Sequence, residues 1–253
     1  MREIDFSKQI KLIIEFIRVQ LSSTGFEKLI IGLSGGIDSA VTAALSVKAI
    51  GAENVFGVMM PYHTSTDESL DHAILVAEKF EIKYEIVEIS KMVDAYFNEF
   101  EPDADRLRRG NRMARERMCV LYDLSAKYKA LVAGTGNRSE LMIGYCTQYG
   151  DSACAFEPLG NLYKNEVKKI AAILGVPEVV INKNPTADLW EGQTDEEEMG
   201  IFYVELDEIL YQLLDENRSE KELISTFGDD KIHKVKRMIQ ISEFKRNMPP
   251  MLK

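Results

Sequence analysis

The chain has 253 residues, 45% of them hydrophobic and 28% charged, with a formal net charge of −10 at pH 7. That length suits one α/β domain with a real core. The composition excludes collagen, a disordered chain and a membrane-spanning protein, and the acidic balance argues against a nucleic-acid partner.

Met1-Arg-Glu-Ile-Asp-Phe6 lacks the apolar stretch of a signal peptide. Ile10, Ile13, Ile14, Ile17 and Leu21 recur at helical spacing, which predicts a helix over 6–22. The continuous run Leu29-Ile-Ile-Gly-Leu33 predicts a strand buried on both faces, as in a parallel sheet. Ser34-Gly-Gly36 breaks it, and 40–50 is helical again. A second strand is expected over 55–60, a helix over 67–80, a third strand over 84–89, a long helix over 104–128 and a fourth strand over 130–133. Residues 90–103 receive no element. Beyond 136 the expected elements are a helix over 161–174, a mobile loop over 182–197, and helices over 197–214, 218–226 and 229–245. The alternation predicts a three-layer, doubly wound α/β sandwich with a mostly parallel sheet and right-handed crossovers. No repeat or linker interrupts it, so residues 1–253 are expected to form a single domain.

Cys119, Cys146 and Cys154 are odd in number and form no CxxC, as expected of reduced thiols in a cytoplasmic protein. Six of the twelve arginines fall within 106–117. A solvated helix face is the plain reading. Because guanidinium suits phosphate and carboxylate, some of the six are also expected to face an anion.

The strongest local signal is Gly32-Leu-Ser-Gly-Gly-Ile-Asp-Ser39, between a buried strand and a helix. Ligands of open α/β sheets bind at the carboxyl ends of strands, where a helix N-terminus offers unpaired N–H groups to an anion. Gly35 and Gly36 let the backbone approach phosphate closely, and Ser34 and Ser39 add hydroxyls. Asp38 would repel phosphate, so its expected task is to hold Mg²⁺. The loop is neither GxxxxGK[ST] nor GxGxxG.

The motif SGGxDS after a strand resembles the pyrophosphate loop of the N-type ATP pyrophosphatases, which cleave ATP between its α and β phosphates and adenylate a substrate. Within that superfamily, Thr135, Glu140, Asp151, Lys164 and Thr186 in this order resemble the ammonia-dependent NAD synthetases. Asn111-Arg-Met-Ala-Arg-Glu-Arg-Met118 and His233-Lys234 are similar to further segments of that family, and the likeness covers roughly residues 10–250. It implies an adenine-nucleotide alpha hydrolase-like, Rossmann-like fold without a glutaminase domain, and a homodimer. It implies that Gly32, Leu33, Ser34, Gly35, Gly36, Ile37, Asp38 and Ser39 hold ATP, together with Thr135, Lys164 and Thr186. Asp38 and Glu140 would bind Mg²⁺. Arg115, Gln148, His233 and Lys234 would contact deamido-NAD, and Asp151 and Lys164 would serve catalysis with free ammonia. Many relatives carry Lys where this chain has Gln148, and Asp where it has Ala155. Taken singly, Glu140 is an acid at a helix start, Lys164 a surface lysine, Asp151 a turn residue and His233 a surface histidine. Two alternatives stand beside this reading. One is another adenylating ligase of the superfamily, tRNA-modifying or amidating, although the paired cysteines and basic face of a tRNA thiolase are missing. The other is an ATP-binding protein that has lost catalysis.

Overall fold

The run at Leu29 forms the central strand of the sheet. In the computed structural model, which describes residues 2–190 and 192–252, β1 (Lys28–Gly32) lies between β2 (Val55–Met59) and β4 (Ala130–Val132). Next to β2 lies β3 (Lys83–Ile86), giving the order β3-β2-β1-β4. Every pair is parallel, with Leu29 opposite both Val55 and Leu131. Leu29, Ile30 and Ile31 are all fully buried because helices cover both faces. On one side Leu29, Ile31 and Met59 pack against α1 (Phe6–Thr24), α2 (Ile37–Ile50), α3 (Asp67–Lys79) and α7 (Lys164–Leu174). On the other, Ile30, Val58 and Val132 pack against α4 (Ser90–Phe100) and α5 (Arg106–Tyr128). These are the three layers that the alternating pattern predicts.

Helix α1 shows how local sequence sets an element. Asp5 accepts the Lys8 N–H at 3.0 Å as N-cap, and Gly25, at φ 75°, ends the helix in the left-handed conformation. Its buried stripe is Ile10, Ile13, Ile17 and Leu21, each worth roughly 2 kcal/mol of apolar burial.

A third cluster gathers the C-terminal helices: α10 (Tyr203–Leu210), α11 (Glu220–Phe227) and α12 (Asp229–Ile241) enclose Ile143 and Tyr163. Short helices complete the chain: α6 (Arg138–Ile143), α8 (Glu178–Ile181), α9 (Asp195–Met199) and α13 (Glu243–Arg246).

Several stretches differ from expectation. Residues 90–100 form α4, whose buried Val93 and Phe97 lie one turn apart. The expected loop over 182–197 ends early, because Thr194 caps α9 through the Glu197 N–H; Glu191 within it lies outside the described residues. The single helix expected over 197–214 is three pieces: α9, stopped by Gly200 at φ 59°, then α10, then a π-helical turn, Tyr211–Asp215. The helix expected over 229–245 breaks at Ser242 into α12 and α13. Among the described residues no helix is long and apolar enough to cross a membrane.

Candidate active site

β1 delivers the glycine loop to the carboxyl edge of the sheet, and α2 begins directly after it at Ile37. The loop is held by its own hydroxyls: Ser39 Oγ donates to Gly36 O at 3.0 Å, and Ser34 Oγ accepts the Gly36 N–H at 3.2 Å. Gly35 has φ 76°, and a Cβ there would stand 2.0 Å from the Ser69 carbonyl oxygen. Only glycine lets the loop lie this close to the start of α3.

β4 delivers a second turn, residues 134–136, opposite the loop. Thr135 on it lines the cleft. Asn137 then caps α6, accepting the Glu140 N–H at 3.1 Å, while its Nδ2 donates to Asp38 Oδ1 at 2.9 Å. One amide thus orients both expected metal ligands. Lys164, the first residue of α7, reaches between them: Nζ lies 2.5 Å from Asp38 Oδ2 and 2.9 Å from Glu140 Oε1. Its side chain is 4% exposed, so the ammonium is a buried cation seated between two carboxylates. Burial pushes Lys164 down, but Asp38 and Glu140 more than reverse this, and the amine stays charged. Burial lifts Glu140 to about 7 against the pull of Lys164. Since a cation already sits between these oxygens, the pair fits Mg²⁺, which is commonly held by one or two carboxylates plus phosphates and water.

Behind Glu140 lie residues for which the sequence suggests no role in the site. Tyr203 Oη is 3.3 Å from both Glu140 and the buried Asp195, and Tyr145 Oη is 3.1 Å from Asp195 and 2.5 Å from Glu198. Asp207 on α10 accepts from Ser139 Oγ at 2.5 Å and from Asn165 N at 2.9 Å, and Ser139 Oγ accepts the Lys164 N–H at 3.0 Å. The helical C-terminal part therefore positions the start of α7.

Asp151 stands at the cleft wall after Tyr149, which has φ 60°. Its Oδ1 accepts the Thr147 N–H at 2.8 Å. Asp151 is exposed on this wall, and desolvation by the surrounding protein raises its pKa against the lowering pull of the Thr147 N–H and Lys245. Lys245 Nζ donates to the carbonyls of Gly144 and Cys146, each at 2.7 Å, and reaches the same wall. Burial lifts the Cys146 thiol to about 11, so it is no thiolate at neutral pH.

Thr186 lines the cleft from a segment folded over it. That segment is fastened by Lys183 Nζ to Ser69 Oγ at 2.7 Å, by the Thr66 N–H to Asp188 Oδ2 at 3.3 Å, and by the Leu189 N–H to Gln193 Oε1 at 2.8 Å. Trp190 and Leu189 rest over Gly110 of α5, where a Cβ would stand 2.9 Å from Leu189 Cδ1. The cleft has a volume of about 620 Å³.

The remaining expected residues lie apart. Arg115 Nε donates to Gln148 O at 3.2 Å, and neither side chain lines the cleft. His233 and Lys234 lie exposed on α12, His233 beside Glu220 and Asp229, and Lys234 bonded to Gly200 O at 3.2 Å. The residue that comes to the cleft from this end of the chain is Lys245. In the arginine cluster, Arg108 and Arg112 pair with Glu101 and Glu116, and Arg109 donates to the carbonyls of Pro102 and Ala104. Arg117, the last arginine of the cluster, faces the cleft. Its Nε donates to Met60 O at 3.0 Å, and burial lowers its pKa, opposed by Asp188 and Asp151.

The chain is similar to known proteins over nearly its whole length. The family NAD synthase matches residues 9–249. An NH(3)-dependent NAD(+) synthetase of Fusobacterium nucleatum is 48% identical over 94% of this chain and 92% of its own length. Its counterpart in Trichlorobacter lovleyi is 48% identical over 96% and 89%. Among solved structures, an NH3-dependent NAD synthetase from Campylobacter jejuni superposes with a TM-score of 0.85 at 34% identity, over 99% of this chain and all of that one. An NMN synthetase from Francisella tularensis superposes with 0.87 at 29% identity, over 99% of each.

Proposed function

The chain belongs to the NAD synthase family, and from that premise we propose that it amidates deamido-NAD with ammonia and ATP, yielding NAD, AMP and pyrophosphate. The observation that carries the site assignment is the Lys164 ammonium seated between Asp38 and Glu140 at the mouth of the glycine loop. We assign residues 32–39 with Thr135, Lys164 and Thr186 to ATP, and Asp38 and Glu140 to Mg²⁺.

A carboxylate is a poor acyl donor, so the nicotinate carboxylate first attacks the α-phosphorus, forming an acyl-adenylate as pyrophosphate leaves. The loop N–H groups and the α2 dipole hold the leaving phosphates. Asp38 and Glu140 would hold Mg²⁺, which would neutralise phosphate charge. Lys164, released from the carboxylates, follows the negative charge onto the pyrophosphate. Arg117 offers a second cation to the anions between Asp151 and the covering segment. Ammonia then attacks the activated carbonyl and AMP departs. Asp151, with its raised pKa, takes the proton that ammonium must lose. Residues 183–190 keep water from the adenylate.

We assign Arg115, Gln148, His233 and Lys234, which do not line this cleft, to deamido-NAD bound at a site shared with a second copy of the chain. We treat the chain as a single domain, supported by the Asp207 contacts that tie α10 to α6 and α7. An acidic chain with three free thiols fits a cytoplasmic enzyme without a nucleic-acid partner.

The mononucleotide acid is a second candidate substrate, favoured by the superposition on an NMN synthetase. The test supplies purified protein with ATP, Mg²⁺, an ammonium salt and either acid. Equal, ammonium-dependent yields of NAD and pyrophosphate from deamido-NAD are expected. Turnover of the mononucleotide acid alone reassigns the substrate. A folded Asp38→Ala protein that still releases pyrophosphate removes Asp38 from its role.

A further inference from the structure

Glu157 is an acid at the edge of the site that the reaction above leaves without a task. After the Asp151 turn, the Ala155 N–H donates to Val132 O and the Gly134 N–H to Phe156 O, both at 2.9 Å. This parallel bridge lays the segment beside the end of β4 and sets the Glu157 carboxyl across residues 134–136. Oε2 accepts the Gly136 N–H at 2.9 Å. Contact is close along the whole turn. A Cβ on Gly134 would stand 2.3 Å from Oε2 and 2.6 Å from Cys154 Sγ, and one on Gly136 would stand 3.1 Å from Oε1. The two glycines are the floor on which the carboxyl rests.

What the turn carries gives this contact its meaning. Thr135 lines the cleft, and the next residue but one, Asn137, holds Asp38 and caps the helix of Glu140. We infer that Glu157 is a positioning residue of the ATP site, fixing the turn that places Thr135 and, through Asn137, both Asp38 and Glu140. The inference rests on the ATP reading of the cleft.

Its charge state agrees with that task. Burial lifts the carboxyl to about 8; the Cys154 thiol and the Gly136 N–H lower it, while Glu140 on α6 and Asp151 on its turn raise it. Near pH 7 the group is neutral and adds no charge beside the nucleotide. As pH rises through about 8 it ionises, and a negative charge appears next to an anionic ligand.

Steady-state kinetics of E157A and E157Q test this. E157A is expected to raise KM for ATP about tenfold while KM for deamido-NAD stays within roughly twofold, and E157Q, which keeps an oxygen for the Gly136 N–H, stays near wild type. Between pH 7 and 9 the wild-type KM for ATP is expected to rise, and that of E157Q to rise less. An E157A protein with wild-type KM for ATP overturns the inference, as does one that loses both substrates equally. If E157A does not fold, the pH comparison decides: identical profiles for E157Q and wild type overturn it, and a flattened E157Q profile sustains it. A wild-type protein that binds no ATP overturns the reading of the cleft, and this inference with it. Wild-type turnover with unaltered variants overturns this inference alone.

Discussion

Lys164 is the most exacting residue of the cleft. An ammonium with 4% of its side chain exposed persists because two carboxylates lie within 2.9 Å of it. Each partner is costly without the other, since removing one member of a buried ion pair leaves an uncompensated charge. Lys164→Met is therefore expected to lower stability by about 3–5 kcal/mol, with Asp38 and Glu140 left facing each other. Added Mg²⁺ should restore part of that loss by taking the vacated cation position, while adenylation stays lower by about a hundredfold or more. Denaturant titration with and without Mg²⁺, beside pyrophosphate release, reads both effects. A K164M protein whose stability ignores Mg²⁺ contradicts metal binding at this pair.

At the scale of the element, the glycine loop works because β1 ends where α2 begins and nothing intervenes. Gly35 combines φ 76° with a carbonyl neighbour that cannot yield, because the clash is with the Ser69 backbone. Gly35→Ala should cost roughly 1–3 kcal/mol of strain and push the loop off α3, weakening ATP binding more than stability. Isothermal titration of Mg·ATP, set beside a melting curve, checks the ratio. This strand–loop–helix unit was fully legible in sequence, since each feature is local: a β-branched run, two glycines, two hydroxyls, an acid. Thr135, Glu140 and Lys164 were legible only as an ordered set; that α6 and α7 would bring two of them to one cation was not. The arginine cluster misled in part, because most of its members serve carbonyls and acids on neighbouring segments. Nothing about position 117 separates Arg117 from the rest until α5 is seen crossing the cleft. At the C-terminus, helical spacing marks His233 and Lys234 as one helix face but cannot show that Ser242 breaks the helix and turns Lys245 toward Asp151.

For the molecule as a whole, the C-terminal third serves the nucleotide core. Arg246 donates to the carbonyls of Leu141 and Met142 at the end of α6, and Lys245 to those of Gly144 and Cys146. These cations meet the negative end of α6, the helix that carries Glu140 in its first turn. Leu12, Phe16 and Val19 make an exposed apolar stripe along α1, where we propose a dimer contact. Light scattering should give twice the mass of the chain, and Phe16→Glu should shift it toward the monomer. If that monomer keeps full activity with deamido-NAD, the substrate site belongs to one chain.

Trp190 is the sole tryptophan of the sequence, and it lies in the segment folded over the cleft, against Gly110. Its indole is therefore a native optical reporter. Excitation near the red edge of protein absorbance addresses this one side chain, so its emission follows the covering segment without any label. Stopped-flow fluorescence can then time the seating of that segment separately from the chemistry beneath it.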